Sequence, residues 1–67
     1  MQKGTVKNWN NSRGFGFIVT EDEEELFVNI ADLHITLKNR GLREGQQVLF
    51  DIKSDMKGDR AVNVKAG

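Results

Sequence analysis

The sequence predicts an all-β fold, in which residues 1–67 form one domain and five short antiparallel strands close into a small barrel. Three observations support this prediction. Apolar and polar residues alternate in five short runs, as they do in half-buried strands. Turn-forming residues separate most of the runs, and one long connection lies between the third and the fourth. No stretch has a convincing helical pattern or repeats another part of the chain.

The first strand is predicted over residues 3–10, and residues 10–14 have the composition of a turn. Regular alternation places Trp9 on the polar face of this strand, together with Lys7. A bulge, or an irregularity at Gly4, would shift that register.

The second strand, residues 15–20, contains the aromatic part of the motif Arg13-Gly-Phe-Gly-Phe-Ile18. Alternation puts Phe15 and Phe17 on one face and Gly16 and Ile18 on the other. Two phenylalanines at this spacing are often core residues, but inward rings would leave Ile18 in water. We therefore predict an aliphatic core and an aromatic outer face, whose two rings, about 7 Å apart, would stack successive bases.

The third strand, residues 26–30, repeats this separation of side chains. Leu26, Val28 and Ile30 share one face, and Phe27 and Asn29 share the other. Five consecutive acids at positions 21–25 precede the strand and are expected to form a solvated hairpin loop. As an alternative, these carboxylates could bind a divalent cation, although they lack the spacing and the glycine of a calcium loop.

Residues 31–44 form the least regular part of the chain. Residues 31–33 fit a single helical turn, and Ile35 and Leu37 are candidates to pack over one end of the barrel. A basic cluster follows, made of Lys38, Arg40 and Arg43. It is compatible with a solvated loop and with contacts to phosphate.

The fourth strand is predicted over residues 46–53, a hairpin turn over 54–59 and the fifth strand over 60–65. The side chains expected to face the core from these strands are Val48, Phe50, Ile52, Val62 and Val64. Five short strands with one long connection are typical of the oligonucleotide/oligosaccharide-binding barrel, or OB-fold, in which strands two and three carry the ligand.

Composition narrows the class of protein. The chain has no cysteine, begins without a secretory leader and contains no membrane-spanning apolar run, which predicts a cytoplasmic location and no membrane contact. Ten basic and ten acidic side chains give a net charge of zero, which argues against nucleic acid, yet residues 1–20 contain bases and no acid. The single histidine, His34, has no catalytic partner at a motif spacing, so neither an enzyme nor a cofactor is predicted.

The chain resembles the bacterial cold shock protein family over its whole length. The resembling segments are Gly4-Thr-Val-Lys7, Asn10, Arg13-Gly-Phe-Gly-Phe-Ile18, Leu26-Phe-Val28, Leu42-Arg-Glu-Gly-Gln46, Val48, Phe50, Lys57-Gly58 and Ala61-Val-Asn-Val64. The resemblance implies a cold shock domain, a five-stranded barrel. It also implies low-specificity binding of single-stranded RNA and DNA that melts or prevents secondary structure, as an RNA chaperone does.

Three departures from the family pattern reduce the number of aromatic rings. The usual Lys-Trp-Phe-Asn is Lys7-Asn8-Trp9-Asn10 here, and the usual His-Phe is Asn29-Ile30. The loop at residues 35–41 has no aromatic residue. Since each stacked base contributes about 1–3 kcal/mol, we expect weak, roughly micromolar and salt-sensitive binding. Some cold-shock-like domains that are attached to membrane segments look similar, because they have tryptophan in the second of the two aromatic positions. The chain therefore also fits a domain excised from a larger protein.

The resemblance and the alternation together assign roles to twelve side chains. Phe15, Phe17 and Phe27 are expected to stack bases, with Trp9 at the edge of the platform; Lys7, Arg13, Lys57 and Arg60 to contact phosphates; and Asn8, Asn10, Asn29 and Glu25 to bind base edges. The expected partner is single-stranded RNA or DNA. The alternative is a degenerate domain that binds protein, and the chain is expected to be a monomer or a weak dimer formed by strand exchange.

Overall fold

The computed structural model describes the backbone of residues 1–67 and the side chains of all of them except Asp55. The five strands are β1 (Gln2–Asn10), β2 (Phe15–Thr20), β3 (Glu25–Asn29), β4 (Gln47–Asp55) and β5 (Gly58–Ala66). They close into one barrel in the order β1-β2-β3-β5-β4, which confirms the predicted fold. One detail differs, because β3 and β5 pair in parallel, at Phe27 and Arg60, whereas the other four pairs are antiparallel.

The interior of the barrel is mainly aliphatic, as alternation predicts. The buried apolar side chains are Val6, Ile18, Leu26, Val28, Leu33, Leu37, Leu42, Val48, Phe50, Ala61 and Val64. Phe50 is the one phenylalanine among them, and it is 0% exposed. The remaining three phenylalanines are half-buried and belong to the outward set of β2 and β3. The separation of an aliphatic interior from an aromatic exterior is therefore confirmed.

A bulge in β1 changes which side chains face outward. The register with β2 shifts between Val6 and Asn8, so that Val6 lies opposite Ile18 and Asn8 lies opposite Phe17. Lys7 is the extra residue, and Trp9, which follows Asn8, lies opposite buried Gly16. Regular alternation therefore does not hold for Trp9, and the alternative of a bulge is confirmed, because one inserted residue exchanges the two faces of the strand beyond it.

Gly16 allows β1 and β2 to approach each other closely at this bulge. A Cβ atom at position 16 would overlap the backbone oxygen of Asn8 and lie 2.9 Å from the Cα of Trp9. We expect Gly16→Ala to lower the free energy of unfolding by about 1–3 kcal/mol, because backbone atoms would have to move. Urea denaturation measures this change.

Gly45→Ala is the matched control for that substitution. Gly45 has φ 83° and no atom within 4 Å of an added Cβ, so its loss of stability would come from backbone strain alone, whereas Gly16 has no positive φ and would lose stability through the overlap. An unchanged free energy of unfolding in Gly16→Ala would contradict the steric explanation.

The connection between β3 and β4 contains two short helical turns. A 3-10 turn spans Ile30–Asp32 and a one-turn helix, α1, spans Ile35–Lys38. Leu37 is buried under the barrel end as expected, whereas Ile35 is 74% exposed and does not pack there. Ile30 was predicted to continue the inner face of the third strand, but it is 38% exposed because β3 ends at Asn29 and the chain turns.

The last hairpin also departs from regular alternation. β4 and β5 extend to a two-residue turn at Met56 and Lys57, which is tighter than the predicted turn. Ala61 and Val64 are fully buried, whereas Val62, predicted to face inward, is half-buried and lies opposite Asp51. Asn63 has φ 52°, and the register shifts nearby, so the inward positions are three residues apart instead of two. Among the described residues, no helix is long and apolar enough to cross a membrane.

Candidate nucleic-acid interface

Three phenylalanine rings form a continuous cluster on the outside of β2 and β3. Phe17 lies directly opposite Phe27 in the register, and their ring centroids are 5.9 Å apart with planes at 75°. The centroids of Phe15 and Phe27 are 6.0 Å apart with planes at 30°. All three rings are half-buried, so part of each ring is available to a ligand. We call Phe15, Phe17 and Phe27 the aromatic face.

Asparagine side chains surround the aromatic face. Asn8 lies opposite Phe17, and both Asn10 and Asn29 lie opposite Phe15. Among the side chains that the structure describes, none hydrogen-bonds the Asn8 amide.

The oxygens of the other two asparagine amides have structural partners. Asn10 Oδ1 accepts from the backbone N–H of Arg13 at 3.1 Å, and Asn29 Oδ1 accepts from that of Ala31 at 3.0 Å. These bonds fix two turns beside Phe15 and leave the NH₂ groups as the donors for a ligand.

Trp9 does not extend the aromatic face. Its register partner is Gly16, and it packs against the core from the opposite side of the sheet. The indole Nε1 donates to Asn11 Oδ1 at 3.3 Å, and a Cβ at Gly41 would lie 2.6 Å from the same nitrogen. The expected position of Trp9 at the platform edge is therefore corrected: its indole anchors the connection between β3 and β4 to β1.

Two of the four predicted phosphate-binding residues already pair with carboxylates. Lys7 Nζ lies 3.0 Å from Glu25 Oε1, and both side chains are about half exposed. Arg60 Nη2 lies 2.9 Å from Asp32 Oδ1, where the carboxylate is 8% exposed. Glu25, expected at base edges, thus lies beside β3 with one oxygen on Lys7.

The other two predicted phosphate-binding residues border the site at opposite ends. Arg13 is exposed in the turn before Phe15, next to Asn10. Lys57 lines a depression of about 370 Å³ together with Phe27, Gly58, Asp59 and Arg60. This depression continues the aromatic face toward the tip of the β4–β5 hairpin.

Asp32 is the residue of this region that sequence reasoning missed. It is buried at the end of the 3-10 turn and holds Arg60 next to Phe27, which is the register partner of Arg60. The sequence does contain a signal for a structural role of Asp32. It is the single acid between Glu25 and Glu44, and it lies between the apolar residues Ala31 and Leu33.

The acidic residues before β3 form an exposed loop, as expected. The hydroxyl of buried Thr20 accepts from the backbone N–H groups of Asp22 and Glu24, at 3.2 and 3.1 Å, which fixes the loop. Within the described part of the chain, no group of three or more acidic or histidine side chains is arranged to hold a metal ion. His34 is exposed, and its Nδ1 bonds Thr36 Oγ1 at 2.9 Å at the start of α1.

A closed five-stranded barrel with a ring cluster on β2 and β3 has the architecture of an oligonucleotide/oligosaccharide-binding barrel. Comparison with known proteins identifies the family. The family model described as the 'Cold-shock' DNA-binding domain matches residues 2–66. The chain therefore belongs to the cold shock domain family.

Individual relatives agree with that assignment. The chain is 41% identical over 64 residues to the major cold shock protein of Streptococcus pyogenes, covering 96% of this chain and 94% of that protein. It is 42% identical over 64 residues to cold shock protein 1 of Lactiplantibacillus plantarum, covering 96% of each chain. It is 38% identical over 65 residues to cold shock protein CspC of Bacillus subtilis, covering 97% of each.

Membership of the family confirms the coarser expectations from the sequence. Proteins with this domain bind nucleic acids, belong to the cellular stress response and are not enzymes.

Proposed function

We propose that this chain binds single-stranded RNA and DNA with low sequence specificity by stacking bases on Phe15, Phe17 and Phe27. The observation that carries the proposal is the cluster of three half-buried rings, with neighbouring centroids within 6.0 Å, on the outer face of β2 and β3. Every base has a π face, so such a surface binds without strong sequence preference.

Polar side chains at the rim would hold the rest of each nucleotide. The amide of Asn8 and the NH₂ groups of Asn10 and Asn29, which lie beside Phe17 and Phe15, would bond base edges. The second carboxylate oxygen of Glu25 would accept from a base N–H, while the first remains on Lys7. The side chains proposed to contact phosphates are Lys7, Arg13, Lys57 and Arg60.

The binding is expected to be weak, with a dissociation constant of roughly micromolar order. Asn8 occupies the position opposite Phe17 at which the family resemblance leads one to expect an aromatic ring. Lys7 and Arg60 must share their charge between phosphate and the carboxylates of Glu25 and Asp32. Fewer stacked bases and partly neutralised cations both lower the affinity.

This mode of binding supports a nucleic-acid chaperone activity. A base that stacks on a phenylalanine ring is withdrawn from pairing, so binding competes with hairpin formation. Weak binding without sequence preference lets the protein dissociate once the strand is open.

The proposal is tested by titrating a labelled single-stranded pyrimidine oligonucleotide with the protein and following fluorescence anisotropy at several salt concentrations. The label is preferable to Trp9 as the reporter, because the indole packs on the side of the sheet away from Phe17. We expect saturable binding that weakens as salt is added, with a logarithmic slope of about −0.7 for each phosphate contact. Absence of binding at low salt would refute the proposal.

A protein partner is the second candidate function. It is favoured by the zero net charge and by the two ion pairs that occupy Lys7 and Arg60. Pull-down with and without nuclease treatment separates the two functions. Capture of a protein partner that persists after nuclease treatment, together with no oligonucleotide binding, would favour this second function.

A further inference from the structure

A second concave surface, distinct from the aromatic face, lies on the other side of β1. It has a volume of about 560 Å³. Its lining residues are Leu37, Arg40, Gly41, Arg43, Gln46 and Ala66. We call this surface the arginine groove. Two of its six lining residues are cationic and none is anionic, which makes it suitable for a polyanion.

The two arginines of the groove have exposed, available charges. Both Arg40 and Arg43 are exposed, and neither forms an ion pair with a carboxylate in the part of the chain that the structure describes. Lys7, by contrast, has a carboxylate at 3.0 Å. The groove therefore presents cations that do not have to leave a carboxylate partner before they can bind a phosphate.

Hydrogen bonds fix the backbone that carries these arginines. The N–H of Arg43 donates to Gln46 Oε1 at 3.0 Å, and the N–H of Gln46 donates to the Arg43 carbonyl at 3.1 Å. At the end of α1, Arg40 N–H donates to the Leu37 carbonyl at 3.1 Å. Anchored Cα positions reduce the entropy that ligand binding has to overcome.

Strand β1 contacts residues of both the arginine groove and the aromatic face. Asn8 lies opposite Phe17, while the neighbouring Trp9 packs against Gly41 in the groove. The groove wall is bonded to the same strand, since Val6 N–H donates to Gln46 O at 2.9 Å. Neighbouring strands lie about 5 Å apart, so a ligand passing over β1 has a short path between the two surfaces.

We propose that the arginine groove binds phosphates of the same single-stranded nucleic acid after the strand leaves the aromatic face across β1. Arg40 and Arg43 would form charge-assisted hydrogen bonds with successive phosphates. This inference rests on the proposed function, because it extends that binding site. It predicts a dependence on oligonucleotide length that the aromatic face alone does not produce.

The test compares the wild type with Arg40→Gln/Arg43→Gln, using pyrimidine oligonucleotides of about 4 and about 12 nucleotides, both within the range of site sizes for one barrel of this kind. For the longer oligonucleotide, we expect the double variant to lose about tenfold in affinity and about 1.4 in the magnitude of the salt slope. For the shorter one, we expect no change, because the aromatic face is enough to bind it.

The matched control is Lys3→Gln/Lys65→Gln, which removes the same charge from two exposed positions that do not line the groove. An equal loss in this control, or an equal loss for both oligonucleotide lengths, would overturn the proposal in favour of a general charge effect. No loss for the longer oligonucleotide would overturn it directly. Failure of the wild type to bind either oligonucleotide would refute the proposed function itself, so the two failures are distinguishable.

Discussion

Replacing Phe15 and Phe27 together by alanine is expected to weaken oligonucleotide binding by about 30-fold or more. Each base stacked on an aromatic ring contributes about 1–3 kcal/mol by truncation, and about 1.4 kcal/mol corresponds to a factor of ten. Phe27 contacts both other rings, at 5.9 and 6.0 Å, so its loss also removes the support of Phe15 and Phe17. Anisotropy titration at low salt measures the change.

The control for this double variant is Ile35→Ala. Ile35 is 74% exposed and belongs to α1, so the substitution removes exposed apolar area outside the aromatic face. We expect Ile35→Ala to bind like the wild type, and we expect the circular dichroism spectrum of the double variant to remain that of a folded barrel, because neither ring is part of the core. A folded double variant with wild-type affinity would show that bases bind elsewhere.

Asn8→Trp is expected to strengthen binding by about tenfold or more. Asn8 is exposed on the outer face of β1, directly opposite Phe17, and no described side chain bonds its amide. An indole there would add one stacking surface next to the aromatic face, and a single stack contributes about 1–3 kcal/mol. The measurement is the dissociation constant for a pyrimidine oligonucleotide, followed through the label.

Gln2→Trp provides the matched control, because it adds the same ring to the same strand at an exposed position opposite Phe50. Six residues of extended strand place it about 20 Å from position 8. Equal gains in both variants would indicate non-specific adhesion of tryptophan. No gain in a folded Asn8→Trp variant would show that bases do not reach the surface beside Phe17.

The local patterns were sufficient to predict much of this protein. Period-two alternation in β2 and β3 identified Ile18, Leu26 and Val28 as core residues, and they are 0–1% exposed. The same pattern assigned Phe15 and Phe27 to the outer face. These predictions succeed because each depends on one strand keeping its period over a few residues, which neighbouring side chains in the sequence already specify.

Predictions failed where one inserted residue or one long-range contact decided the outcome. Trp9 changes sides because β1 has a bulge at Lys7, and Val62 turns outward where the register shifts near Asn63. A bulge is a property of two paired strands, and the sequence of one strand does not show which partner residue it will oppose. Ile30 became exposed for a similar reason, since the length of β3 depends on its pairing with β2.

The sequence by itself determined the fold class, the aliphatic interior and the placement of three phenylalanines outside it, because burial of apolar side chains acts on every strand separately. Only the tertiary structure decided the charges available to a ligand. Lys7 meets Glu25 across 18 positions, and Arg60 meets Asp32 across 28. Closure of the barrel brings these partners within 3.0 Å and leaves Arg40 and Arg43 exposed in their groove. Charge pairing depends on distances in space, and spacing along the chain does not define those distances.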